Sequence, residues 1–153
     1  YNLEAIAKMI DSQTKIIYLA NPDNPTGTYF NKIQFDRFMK KVPDRVLIIL
    51  DEAYYEFSGK TFIDLIDDYS NLVILRTFSK WAGLAGMRIG YGIMDPNLVS
   101  HLLVIKPPYN ISVAAEIAVK ASLDDLDLLL ERVDIIKKER DWMFEQLSLI
   151  PFM

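Results

Sequence analysis

The chemistry of this chain gathers around Lys80. It lies in the run Thr77-Phe78-Ser79-Lys80-Trp81-Ala82-Gly83-Leu84-Ala85-Gly86-Met87-Arg88, where two hydroxyl side chains frame the lysine and an arginine follows small residues. Leu72-Val73-Ile74-Leu75 just before it reads as a short buried strand. Lys80 therefore falls past the carboxyl end of a strand, where open α/β sheets bind ligands. A lysine amine desolvated in such a place is a nucleophile able to form a Schiff base with a carbonyl. The plain alternative is a Ser-Lys pair in a solvated turn, and the neighbouring residues decide between the two.

Two further strand ends carry polar side chains. Lys15–Ala20 reads as a strand that stops at Asn21-Pro22-Asp23-Asn24-Pro25-Thr26-Gly27-Thr28, a sharp irregular turn. Val46–Leu50 reads as a second buried strand and runs into Asp51, with Tyr54 one turn on. In a parallel sheet Asn24, Asp51 and Lys80 would share one edge. A carboxylate beside a Schiff-base lysine has a use in pyridoxal phosphate enzymes, where it keeps the pyridine nitrogen protonated and the ring an electron sink. Tyr54 and Asn24 could each hydrogen-bond the cofactor's phenolic oxygen. Arg88, with Thr77 and Ser79, suits a phosphate, which a guanidinium matches with paired N–H bonds. Each residue also has a bland reading: a loop-capping Asp51, an interfacial Tyr54, a turn-forming Asn24, a surface ion pair for Arg88.

The elements that must position these side chains alternate. A helix over Leu3, Ile6, Ala7 and Ile10 with Asn2 as its cap precedes the first strand. Asn31 caps a helix from Lys32 to about Val42 whose apolar face is Ile33, Phe35, Phe38 and Met39. A short helix is expected near 62–68, a further strand over 88–94, and a helix from Pro96 to Val104. Pro107-Pro108-Tyr109-Asn110 reads as an extended loop, 112–122 as an alanine-rich helix, and 126–147 as a long amphipathic one. His101, the only histidine, is expected in a helix with Leu98, Leu102 and Ile105 and in a structural role, and the Met and Phe residues at helical spacing read as core. Asp124, Asp125 and Asp127 read as the solvated start of the last helix, not a metal site. Strands alternating with helices imply an α/β fold, three layers around a mostly parallel sheet.

Composition narrows the function classes. The 153 residues carry a net charge of −4 with no basic cluster, which argues against nucleic acid. There is no cysteine, which excludes disulfides and thiolate metal sites and agrees with a cytoplasmic protein. No apolar run approaches ~18 residues, so no membrane partner is expected. The glycines do not form a G-x-G-x-x-G dinucleotide fingerprint, and no Ser-x-x-Lys spacing or nucleophile elbow supports a hydrolase.

With these residues assembled, the chain resembles the class I/II aminotransferases of pyridoxal phosphate fold type I. The resemblance rests on Asn21-Pro22-Asp23-Asn24-Pro25-Thr26-Gly27, on Asp51-Glu52-Ala53-Tyr54, and on Ser79-Lys80 with Arg88 eight residues on. Arg76–Lys80, Leu84–Arg88 and the loop 107–110 are most similar to the histidinol-phosphate branch. The resemblance implies that Lys80 binds the cofactor covalently and shuttles a proton, and that Asp51 holds the pyridinium. It likewise implies that Tyr54 and Asn24 bond the phenolic oxygen and that Thr77, Ser79 and Arg88 hold the phosphate. It implies a small-molecule amino donor, a 2-oxo acid acceptor and a homodimer. Residues 1–153 would be the central part of the cofactor-binding large domain, with the helix at about 126–147 leading towards a small domain. The chain opens on a helical pattern and closes at Leu149–Met153 on what reads as a strand beginning, so a fragment is expected. The other phosphate loop, the ring-stacking aromatic, the substrate arginine and a partner-subunit residue would lie outside it, leaving the isolated piece inactive. Alternatives are another enzyme of the same fold, such as an aromatic aminotransferase or a threonine-phosphate decarboxylase, or a non-catalytic module.

Overall fold

A computed structural model describes residues 1–151 of the chain. Strands β1 (Ile16–Ala20), β2 (Leu47–Asp51), β3 (Leu72–Thr77) and β4 (Gly90–Met94) form a four-stranded sheet in that order. The first three are parallel and β4 runs antiparallel to β3. Helices α1 (Leu3–Lys8), α2 (Lys32–Met39), α3 (Tyr55–Ser58), α4 (Pro96–Ile105), α5 (Val113–Asp124) and α6 (Leu126–Ser148) complete the fold. This is the expected α/β architecture with a mostly parallel sheet.

Local signals set the helix starts. Asn2 accepts from Ala5 N at 3.0 Å and opens α1. Asn31 and Gln34 form a reciprocal capping box at 2.9 Å each way and open α2. Asp95 with Pro96 opens α4, and Ser112 opens α5. Gly59, at φ 66°, stops α3 in a left-handed cap that favours glycine.

Strand parity then divides the sheet. Leu19, Ile48, Leu50, Leu72 and Ile74 share one face and are buried under α1, α2 and the aromatic cluster of Phe30, Phe35 and Phe62. Phe35 stacks on Phe30 at 5.4 Å and meets Phe62 edge-on at 5.1 Å. The opposite face carries Tyr18, Asp51 and Thr77, and over β1 it is open among the described residues, with Ile16 and Tyr18 more than half exposed. A second small cluster joins Phe78 and Ala82, after β3, to Leu129 of α6 and Val119 of α5.

Several expectations need correction. Helix α2 ends at Met39, and Ile33 faces solvent while Phe35, Phe38 and Met39 are buried. The segment expected as a helix at 62–68 is a 3-10 turn over Ile63–Leu65, and α3 was not anticipated. Strand β3 runs on to Thr77; β4 begins only at Gly90, because Arg88 closes a 3-10 turn at φ 53°. His101 is exposed in α4, and Met9, Met143 and Phe144 are exposed instead of core. Leu149 caps α6 and Pro151 lies in a turn, so no strand begins among Leu149, Ile150 and Pro151; Phe152 and Met153, the rest of that expectation, lie outside the described residues. Among the described residues no helix is long and apolar enough to cross a membrane.

One tie predicts an alkaline weakness. The Tyr69 hydroxyl donates to Asp36 Oδ1 at 2.8 Å, joining the turn before β3 to α2. Burial, this bond and the carboxylate charge push the Tyr69 phenol up to about 12. In the unfolded chain the group titrates near ~10, so its contribution is whole below that pH and is lost as pH rises through about 12. Melting temperature should fall across that window, and fall less in Tyr69→Phe; identical alkaline profiles would refute the link.

Candidate active site

The carboxyl ends of β1, β2 and β3 lie on one edge of the sheet, since all three run in the same direction. Each end delivers its polar residue by a local device. After β1, the buried Asn21 closes the loop to Phe30: its Nδ2 donates to Phe30 O at 3.2 Å, and its Oδ1 accepts from Phe30 N at 3.0 Å. That clasp presents Asn24, whose Nδ2 donates to the Tyr54 hydroxyl at 2.9 Å. At the end of β2, Asp51 Oδ1 accepts from Ala53 N at 2.9 Å. Its Oδ2 accepts from the Tyr18 hydroxyl.

The lysine loop is pinned on both sides of Lys80. Phe78 packs against Trp81 and Tyr91, with ring centroids 5.7 and 5.6 Å away, and Ala82 is buried with it against Leu129. Lys80 itself is exposed, its ammonium 5.7 Å from the Tyr54 ring centroid. Gly83 sits at φ 68°, a conformation that glycine adopts without strain, and its N–H donates back to Lys80 O at 3.2 Å. Thr77 Oγ1 accepts from Ser79 N at 3.1 Å and ties the first turn of the loop. Arg88 Nη1 donates to Ala85 O at 3.1 Å, a backbone carbonyl and not the surface carboxylate of its bland reading. Gly90 lets β4 close on this end of β3, because a Cβ there would lie 2.5 Å from Arg76 O.

Two cavities meet at Lys80 and Asp51. One, of about 370 Å³, is lined by Tyr1, Tyr18, Asp23, Asn24, Asp51, Tyr54 and Lys80 among others. The other, of about 310 Å³, is lined by Asp51, Thr77, Ser79, Lys80, Ala85 and Arg88 among others. Every candidate residue named from the sequence thus faces one continuous cleft: an amine and a carboxylate at its centre, neutral donors on one side, a guanidinium with two hydroxyls on the other. A larger hollow of about 660 Å³ adjoins it at Asn24 and Tyr54, with Lys60, Lys137 and Arg140 on its wall.

Sequence reasoning passed over two groups here. Tyr18 reaches Asp51 from the neighbouring strand; burial, the bond to Asp51 and that carboxylate's charge push its phenol up to about 12. Its only signal was one tyrosine in an aliphatic strand. Glu52 is fully buried and pairs with Arg76 at 2.9 Å, which also donates to Thr61 Oγ1 at 2.6 Å and stacks over the Tyr55 ring at 3.8 Å. The same carboxylate accepts from Phe62 N at 2.7 Å. This network lies behind the site, one residue from Asp51 and one from Thr77.

Comparison with known proteins places this geometry. The family model "Aminotransferase class I and II" matches residues 1–152. A histidinol-phosphate aminotransferase of Roseiflexus castenholzii is 45% identical over 151 residues, covering 98% of this chain and 40% of the relative. The solved histidinol-phosphate aminotransferase of Clostridium acetobutylicum superposes with a TM-score of 0.87 at 34% identity, over 99% of this chain and 47% of that one. That of Sinorhizobium meliloti, in complex with pyridoxal-5'-phosphate, superposes with a TM-score of 0.80 at 34% identity, over 91% of this chain and 38% of that one. The chain spans about 40% of the length of the curated relatives it matches.

Proposed function

Because this chain belongs to the class I and II aminotransferases, we propose that it is the lysine-bearing part of a pyridoxal phosphate enzyme that moves an amino group between histidinol phosphate and 2-oxoglutarate. The observation that carries the proposal is the meeting of Lys80 and Asp51 in a cleft whose two ends hold Asn24 with Tyr54, and Thr77 with Ser79 and Arg88. The names of its relatives supply the substrate.

The residues present fit the cofactor. Its aldehyde needs an amine, its ring nitrogen a carboxylate, its phenolic oxygen neutral donors and its phosphate a cation with hydroxyls. When bound, pyridoxal phosphate supplies the carbonyl that receives the amino group and the ring that accepts electrons from the substrate's α-carbon. Lys80 Nζ anchors it and is the base that removes and returns the substrate proton. Asp51 keeps the ring nitrogen protonated. Asn24 and Tyr54, already joined by a hydrogen bond, would hold the phenolic oxygen. The Arg88 guanidinium, with the Thr77 and Ser79 hydroxyls, would hold the phosphate through paired N–H bonds.

Residues 1–153 form the central part of the large domain in this reading, and α6 leads towards a small domain. The full-length protein is a cytoplasmic homodimer. A kinetic comparison of that protein on histidinol phosphate and on phenylalanine, each with 2-oxoglutarate, tests the assignment. We expect kcat/KM to favour histidinol phosphate; preference for phenylalanine would move the protein to the aromatic aminotransferases, and release of carbon dioxide from a phosphorylated threonine would make it a decarboxylase.

A further inference from the structure

The placement of Tyr18 assigns it a task that none of the site residues performs. It stands on the open face of the sheet, the face that also carries Asp51. In the β1–β2 register Asp51 pairs with Ala20 and Tyr18 with Ile49, so Tyr18 and Asp51 are diagonal neighbours on one face. Its hydroxyl donates to Asp51 Oδ2, while Ala53 N donates to Oδ1 at 2.9 Å. Both carboxylate oxygens are therefore held, from two different elements, and the plane of the group is fixed. We propose that Tyr18 is a positioning residue for Asp51, locking the carboxylate in the orientation that meets the cofactor's ring nitrogen.

This inference rests on the reading of Asp51 as the ring-nitrogen partner. Its chemical content is that both donors are neutral and each engages one oxygen of the Asp51 carboxylate. Loss of the phenol frees Oδ2 to rotate. The other titratable groups on this cavity wall are Tyr1, Asp23, Tyr54 and Lys80. Tyr1 is engaged with Asp23 at 2.8 Å, so it is not the donor that replaces Tyr18.

The test is a double-mutant cycle on the full-length protein, with cofactor affinity measured by adding pyridoxal phosphate to the stripped enzyme. Tyr18→Phe keeps the ring and removes only the hydroxyl. It should weaken binding about tenfold when Asp51 is present, the loss expected for one hydrogen bond to a charged group. In an Asp51→Asn background the same change should have little effect. Equal losses in both backgrounds would mean that Tyr18 acts only on the fold, and the proposal fails. If Asp51→Asn alone leaves cofactor affinity unchanged, the reading of Asp51 itself fails and this inference goes with it. A second measurement needs neither turnover nor cofactor. With tyrosine labelled at Cζ, the Tyr18 phenol should titrate near about 12 in the stripped protein and lower in Asp51→Asn. Unchanged titration would overturn the contact.

Discussion

Lys80→Ala is expected to abolish transamination by the full-length protein and to remove the visible absorption band of lysine-bound pyridoxal phosphate. The loss of proton transfer alone should slow turnover by roughly 10²–10⁴-fold, and loss of the covalent anchor adds to it. The fold should be spared. Lys80 is exposed, and its loop is held by Phe78 and Ala82, which the substitution does not touch. Lys80→Arg sharpens the test, because it keeps the charge but offers no amine able to attack a carbonyl. It should be as inactive as Lys80→Ala. Activity in either variant within about tenfold of the parent, or a visible band in either, would remove Lys80 from the centre of the mechanism.

The largest loss of stability should come from Arg76→Met. Arg76 is 9% exposed and its partner Glu52 fully buried, so removing the guanidinium strands a carboxylate with only Thr61 and the Phe62 N–H as donors. Breaking a buried pair from one side costs about 3–5 kcal/mol. Chemical denaturation should show that loss as a fall in midpoint at constant slope. The double variant Arg76→Met with Glu52→Leu should recover much of it, since it removes the orphaned charge together with its partner. If the single and double variants unfold alike, the cost lies in packing around Tyr55 and not in the uncompensated charge. Cofactor affinity should fall in Arg76→Met as well, because Glu52 and Arg76 adjoin Asp51 and Thr77 in the chain and tie β2 to β3 behind the cleft.

The site was more legible in the sequence than the surfaces around it, for physical reasons. Asn24, Asp51 and Lys80 each follow an apolar, β-branched run, and parallel strands place such followers on a common edge whatever the details of packing. What the sequence hid depended on register or on absent neighbours. Tyr18 meets Asp51 only because Ala20 pairs with Asp51, and strand periodicity carries no such offset. Nothing in the spacing of Glu52 and Arg76 signals that the strands bring them together as an ion pair in the interior. Strand β4 has the expected composition, but alternation of residues does not encode direction, and it runs antiparallel. Ile33 shows the limit of helical phase: its neighbours Phe35, Phe38 and Met39 take the buried face and leave it outside. Several apolar side chains of α4 and α6, Val104, Ile105 and Phe144 among them, resemble core residues in type but face outward here.

The sheet order β1-β2-β3-β4 repeats the order of the strands along the chain. Among the described residues each strand after β1 therefore docks on the one synthesised just before it, and this part of the sheet has no gap for a later segment to fill. Once Met94 has left the ribosome, the three strand ends that lead to Asn24, Asp51 and Lys80 have all been synthesised, before α5 and α6 exist to brace Phe78 and Ala82. Assembly of the lysine side of the cleft during translation is the consequence, since domains fold as units from the amino end as they are synthesised. Nascent chains arrested at increasing lengths should gain protease resistance in β1 to β3 soon after β4 emerges; resistance that waits for α6 would place the step after synthesis of the second cluster instead.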